Sequence, residues 1–244
     1  MSGILEGTLG DTLPAVAPER IVRLRDGAPR DGGRYVLYWM QSSQRPWDNP
    51  ALNLAIISAD RLRLPVLVCF ALTGYPEATV RHYTFMLEGI AETARLLGHR
   101  GMEFVMRCGE PWRFALELAG NAALVVTDGA YLPLPRSWRA ALAENIDCPL
   151  YEVESDVVVP VRLASDKREF AARTIRRKLH RHVEQFLHEP VNPEPAVRAP
   201  EAGLAGTLEG LLDPSDPRTV VNTVVVTYAV DTSVPPVSRL YPGG

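Results

Sequence analysis

Through the middle of the chain, short apolar runs alternate with longer segments whose apolar positions recur every three or four residues. The runs are 35–40, 65–72, 102–107, 123–127 and 150–153. They are rich in Val, Leu, Tyr and Phe, and most lack polar alternation, which predicts strands covered on both faces. Between the second and third runs, Val80, Tyr83, Leu87, Ile90, Ala94 and Leu97 form one apolar stripe within 78–97, the pattern of an amphipathic helix. Segments 50–62, 111–119 and 136–143 read as the other crossover helices. Pro50 and Pro111 suit first-turn positions, where a missing N–H costs no helical bond. This rhythm predicts an α/β fold: a doubly wound, mainly parallel, five-stranded Rossmann-like sheet with flanking helices.

The flanking segments read differently. Residues 1–30 form an N-terminal extension ahead of an α/β domain over 31–188. Beyond the fifth run, Ser165-Asp166-Lys167-Arg168-Glu169 predicts the start of a helix to about Leu187, with Ser165 as its cap and Asp166 at its positive end. Residues 189–244 read as a linker, turning to Pro, Glu, Ala and Gly over 189–217 and ending on Pro242-Gly243-Gly244. The run 220–230 is β-prone and has no evident partner.

Composition narrows the chemistry. A net charge of −3 and 23% charged residues give no global signal for nucleic acid, so any DNA contact needs a local basic face. Cys69, Cys108 and Cys148 lie widely spaced in or beside apolar runs and read as reduced core thiols. No run of 18 apolar residues occurs and the N-terminus lacks a leader pattern, so the expectation is a cytoplasmic protein without a membrane span. No Gly-x-Gly-x-x-Gly, Walker motif or Gly-x-Ser-x-Gly elbow is present. The five histidines lack zinc spacing, so neither a metal site nor a catalytic residue is assigned.

Two constellations remain. Ligands of doubly wound sheets sit at the carboxyl ends of the strands, which is where Met40, Gln41 and Arg45 follow the first run and Asp128 follows the fourth. The plainer alternative makes Trp39 and Met40 core and pairs Arg45 with a nearby acid. In the helix predicted after Ser165, Ala171, Ile175, Leu179, His182 and Phe186 share one face, and Arg173, Arg177 and Arg181 line the opposite one. Seven Lys/Arg against three Asp/Glu between Asp166 and His188 suit phosphate contact, domain docking or a solvated surface.

Four ordered segments carry a family resemblance across about residues 20–190. They are Tyr35-Val36-Leu37-Tyr38-Trp39-Met40-Gln41-Ser42-Ser43-Gln44-Arg45, Ala78-Thr79-Val80-Arg81-His82-Tyr83-Thr84-Phe85-Met86-Leu87, Val125-Val126-Thr127-Asp128, and Ala164-Ser165-Asp166-Lys167-Arg168-Glu169-Phe170-Ala171-Ala172-Arg173-Thr174-Ile175-Arg176. In them the chain resembles the N-terminal α/β domain of class II cyclobutane-pyrimidine-dimer photolyases. The resemblance implies light-driven repair of UV-damaged DNA, with the dimer flipped into a pocket and split by an electron from reduced FAD. It places FAD, the relay tryptophans and most of the DNA surface in a C-terminal helical domain that this sequence lacks. The chain alone is therefore expected to retain no cofactor and to be catalytically incomplete, and Trp39, Trp47, Trp112 and Trp138 carry no relay role. The resemblance also implies an antenna cleft, for a deazaflavin-type pigment in some members, at Met40, Gln41, Arg45 and Asp128. A stand-alone pigment- or nucleotide-binding module and a plain interaction domain remain the alternatives. Oligomeric state has no signature here.

Overall fold

A computed structural model describes residues 15–206, 208–237 and 241–243. Its centre is a seven-stranded sheet in the order β1-β6-β5-β2-β3-β4-β7. The five inner strands are β2 (Tyr35–Trp39), β3 (Val66–Leu72), β4 (Glu103–Cys108), β5 (Ala122–Asp128) and β6 (Leu150–Val153), all parallel to one another. Every residue of β2, β3, β5 and β6 is buried, which explains why these runs lack polar alternation.

The sheet exceeds the five-strand expectation by one antiparallel strand at each edge. On β6 lies β1 (Ile21–Arg25), inside what reads from sequence as an extension, and on β4 lies β7 (Leu211–Leu212). Both are short and only partly buried, as edge strands are. Residues 1–14, and residues 238–240 and 244 of the closing run, lie outside the described residues.

Helices cover both faces. On one lie α1 (Pro50–Leu62) and α2 (Val80–His99), around a core that includes Val36, Tyr38, Met40 and Val68. On the other lie α3 (Pro111–Ala119) and α4 (Pro133–Asn145), around Leu37, Trp39, Leu67 and Phe114. Asn49 caps α1 by accepting a hydrogen bond from Leu52 N at 3.1 Å, and Pro50 takes the first helical position as expected.

Two segments depart from the sequence expectation. Ser165 does not cap a long helix; it closes the short α5 (Val161–Ala164), and helix resumes only at α6 (Ala172–His180) and α7 (Val183–Phe186). Side chains hold the intervening loop open. Ser165 Oγ donates to Glu169 at 2.9 Å, and Lys178 Nζ reaches Glu169 at 2.6 Å, so local polar bonds replace the first helical turn. The β-prone run instead forms α8 (Pro217–Tyr228), which packs on α2. Asp216 accepts from Thr219 N at 3.2 Å, Pro217 starts the helix, and Val220, Val221 and Val224 bury one face.

The Pro-rich stretch read as linker lies along the molecule. Arg100 donates to Pro193 O at 2.6 Å, Ala199 N donates to Gly101 O at 2.8 Å, and Leu204 is buried. Among the described residues no helix is long and apolar enough to cross a membrane.

Candidate functional site

The strand order reverses beside β2, so the loops leaving β2 and β5 diverge at the carboxyl edge of the sheet. One side chain governs the loop after β2. Asp128, at the end of β5, is fully buried. Its Oδ1 accepts from Gln41 N at 2.8 Å and from the Tyr38 hydroxyl at 3.1 Å. Its Oδ2 accepts from Ser42 N at 2.6 Å and Ser43 N at 3.0 Å. Burial raises the Asp128 pKa above its ordinary value, and the three backbone N–H groups oppose that shift by favouring the carboxylate. The same burial, with the carboxylate beside it, holds the Tyr38 phenol well above its ordinary pKa.

Asn49 completes the loop: its Nδ2 donates to the Tyr38 hydroxyl at 3.0 Å and to the carbonyl of Ser43 at 3.0 Å. Ser43 Oγ donates to Asp156 at 2.6 Å. Five residues of β2, its loop and the helix start, namely Tyr38, Gln41, Ser42, Ser43 and Asn49, thus share one polar network with the end of β5.

Over this loop opens a cleft of about 510 Å³, a volume suited to a small-molecule ring system. Met40, Gln41, Ser42 and Gln44 form its floor beside Phe70 and Leu72 of β3. Tyr75, His82, Tyr83 and Met86 supply one wall, and Pro111, Pro135 and Trp138 the other. The walls are braced. The Tyr83 hydroxyl donates to Thr73 O at 2.9 Å and accepts from Tyr75 N at 3.0 Å. Gly74, between them, lies against the ring of Tyr228 in α8, which a Cβ would approach to 2.9 Å. Arg139 secures the start of α4: Nε meets Glu152 at 2.6 Å, Nη2 donates to Ala130 O at 2.5 Å, and Nη1 to Pro135 O at 3.3 Å.

Polar groups in the cleft are few and directional. The Gln41 amide donates to Thr127 Oγ1 at 2.8 Å, while its Oε1 is buried without a partner. His82 Nδ1 accepts from Thr79 N at 3.0 Å.

Of the four residues expected at this edge, the structure brings Met40 and Gln41 to the cleft. Arg45 turns away, donating to Ser155 O at 2.8 Å and Asp48 O at 3.0 Å and pairing with Asp156 at 3.4 Å. Asp128 is spent on the loop, with its two oxygens answering three backbone N–H groups and the Tyr38 hydroxyl. Arg173, Arg177 and Arg181 are exposed as a group, and Ile175 and Leu179 on the other side of α6 are half-buried. Leu179 packs at the cluster of Val159, Ala164 and Phe186. Phe170, just before α6, is 89% exposed. The α2 wall escaped sequence reasoning because Tyr83 lies on the apolar stripe and reads as core. The spacing of His82 and Met86, one turn apart, was the available signal. Among the described residues no group of three or more His, Cys, Asp or Glu is placed to hold a metal.

Comparison with known proteins places this geometry in context. A family model described as DNA photolyase matches residues 36–199. The deoxyribodipyrimidine photo-lyase of Methanothermobacter thermautotrophicus is 41% identical over 170 residues, covering 69% of this chain and 38% of that protein. The deoxyribodipyrimidine photo-lyase of Potorous tridactylus is 33% identical over 165 residues, covering 66% of this chain and 31% of that one. The chain thus spans 31–38% of the length of these two relatives. Among solved structures, an archaeal photolyase from Sulfolobus tokodaii, described with two FAD molecules, superposes with a TM-score of 0.59 at 15% identity. That match covers 86% of this chain and 44% of the other, and it supports the fold.

Proposed function

The chain belongs to the DNA photolyase family, and from that premise we propose that its α/β layer serves light-driven repair of UV-damaged DNA by seating an antenna pigment. The proposal includes the class II type, on the four ordered segments that carry the resemblance. One observation carries the pigment assignment: the braced, largely apolar cleft at the carboxyl edge, with aromatic walls and the unpartnered Oε1 of Gln41.

A deazaflavin-type ring fits these residues. Met40, Met86, Tyr83 and Trp138 offer apolar and aromatic contact, and Gln41, Gln44 and Thr73 offer polar atoms for a ring edge. When bound, such a pigment supplies absorption of blue or near-UV light and transfer of the excitation to a flavin. The protein's part is to hold the ring still and exclude water, which the bonds of Tyr83 and Arg139 to the loop carbonyls accomplish at the two walls. Flavin chemistry and dimer cleavage are not assigned to these residues. Arg173, Arg177 and Arg181 are proposed to face DNA phosphates or a helical flavin-binding domain, since clustered exposed guanidinium groups suit either.

Expression in a deazaflavin-producing host tests the reading. The chain from that host, expected to lose pigment on purification, should take up added deazaflavin saturably. A colourless protein from that host, unable to take up added pigment, would overturn it.

A further inference from the structure

Three successive backbone N–H groups, those of Gln41, Ser42 and Ser43, converge on one point at the end of β2. Convergent amides of this kind form a concave anion site, and in doubly wound folds the first such turn holds a ligand's phosphate. Here the point is taken by a carboxylate of the chain itself, that of Asp128, fully buried and bonded to all three amides. A second observation is independent of the first: among the described residues no Arg or Lys lines the cleft above, whose lining includes Glu77 and His82. Asp128 thus takes the amides that would otherwise receive a phosphate, and no described guanidinium or ammonium group lines the cleft to replace them.

We propose that Asp128 is a specificity-determining residue that stands in for a ligand phosphate. Held in the anion site, it commits the cleft to the uncharged ring of a pigment and gives nothing to a phosphate group. The inference rests on the reading of the cleft as a pigment site, and it narrows the ligand class to molecules recognised by their ring system. It also assigns Asp128 a role through the loop: the carboxylate fixes Gln41 and Ser42, which line the cleft, without touching the ligand.

Two measurements test it. In the first, Asp128→Ala leaves the three N–H groups and the Tyr38 hydroxyl facing a hole of carboxylate size. Formate or acetate should then raise its melting temperature over that in chloride, by about 3–6 °C at tenfold excess over the dissociation constant. The wild type should not respond. Should this variant fail to fold in chloride, its refolding yield in formate against chloride gives the same readout. Asp128→Asn should be destabilised and should not respond to formate, because its amide nitrogen fills the hole and faces at least one N–H donor. An Asp128→Ala protein indifferent to small carboxylates, or an Asp128→Asn protein as stable as wild type, would overturn the anion-site assignment.

The second measurement compares riboflavin with riboflavin 5′-phosphate on the wild-type chain. Their affinities should agree within about threefold, less than one hydrogen bond to a charged group contributes. Phosphate-dependent tightening of tenfold or more would overturn the specificity claim. If neither flavin binds, 5-deazariboflavin and its 5′-phosphate replace them; failure of these to bind overturns the pigment reading, and the formate experiment still decides whether Asp128 occupies an anion site.

Discussion

Replacing Arg139 by Met should expose how much the cleft depends on one buried ion pair. Arg139 and Glu152 have side chains 5% and 8% exposed, and their contact is 2.6 Å. Removing the guanidinium strands a buried carboxylate and frees the carbonyls of Ala130 and Pro135. Loss of one partner from a buried pair costs about 3–5 kcal/mol. Arg162, half-exposed, still reaches the other oxygen of Glu152 at 3.0 Å, so the lower end of that range applies. A loss of about 3 kcal/mol corresponds to roughly 6–12 °C for a domain of this size. Removing both charges should differ sharply from removing one. Arg139→Met with Glu152→Leu leaves no buried charge, so the double variant should recover to within about 1 kcal/mol of wild type. Urea unfolding followed by tryptophan fluorescence gives the free energies of wild type, Arg139→Met, Glu152→Leu and the double variant. Additive losses, or a single variant costing under 1 kcal/mol, would refute the reasoning. Because Pro135 and Trp138 sit in the cleft wall, Arg139→Met should also weaken pigment binding more than its double variant does.

Val224 is fully buried between α8 and the body of the molecule, so Val224→Ala should cost about 2 kcal/mol through lost burial and a residual cavity. An unchanged urea midpoint would contradict the packing of α8 on α2. Hydrogen bonds from Lys178, Thr174 and Ser165 pull the Glu169 pKa from 4.5 down to about 2. A depressed carboxyl stabilises the fold above its unfolded value and loses that contribution as pH falls through the folded one. The tie from the 165–171 loop to α6 should therefore weaken between about pH 4.5 and 2. Carbon NMR of the Glu169 carboxyl reads this directly, and a midpoint near 4.5 would contradict it. Arg177→Ala, on an exposed face, should move stability by only about 0–1 kcal/mol while lowering affinity for duplex DNA and its salt dependence. A loss of several kcal/mol on thermal melting would show that the face is buried.

The inner sheet was legible in the sequence because strands buried on both faces must be apolar throughout, and Pro50 and Pro111 marked their helix starts. The edges were not. Arg23 and Arg25 of β1 break any apolar run, and Leu211–Leu212 is too short to register as a strand. In α8 the β-branched Val run outweighed the local start signal of Asp216-Pro217, and tertiary packing on α2 decided the outcome. At the site, the carboxyl-edge rule pointed to Met40 and Gln41, which the structure has in the cleft lining. It could not show that Asp128 answers backbone amides more than 80 residues away in sequence, since backbone donors leave no residue-type signature. Arg45 was lost for the opposite reason: its plainer pairing, with Asp156, is the one the fold adopts.

Whether the carboxyl-edge cleft seats a pigment is decided by fluorescence titration of a 5-deazaflavin into the wild-type chain and into Ala78→Trp. Ala78 lies in the cleft wall just ahead of α2 and is only partly buried. Its methyl sits between the edge of the core and the cleft, so an indole there should occupy the cleft. Binding to the wild type should be saturable, and the variant should lose at least tenfold in affinity while the two apo proteins melt at closely similar temperatures. Equal affinities for both proteins, or no binding to the wild type, would contradict the pigment reading.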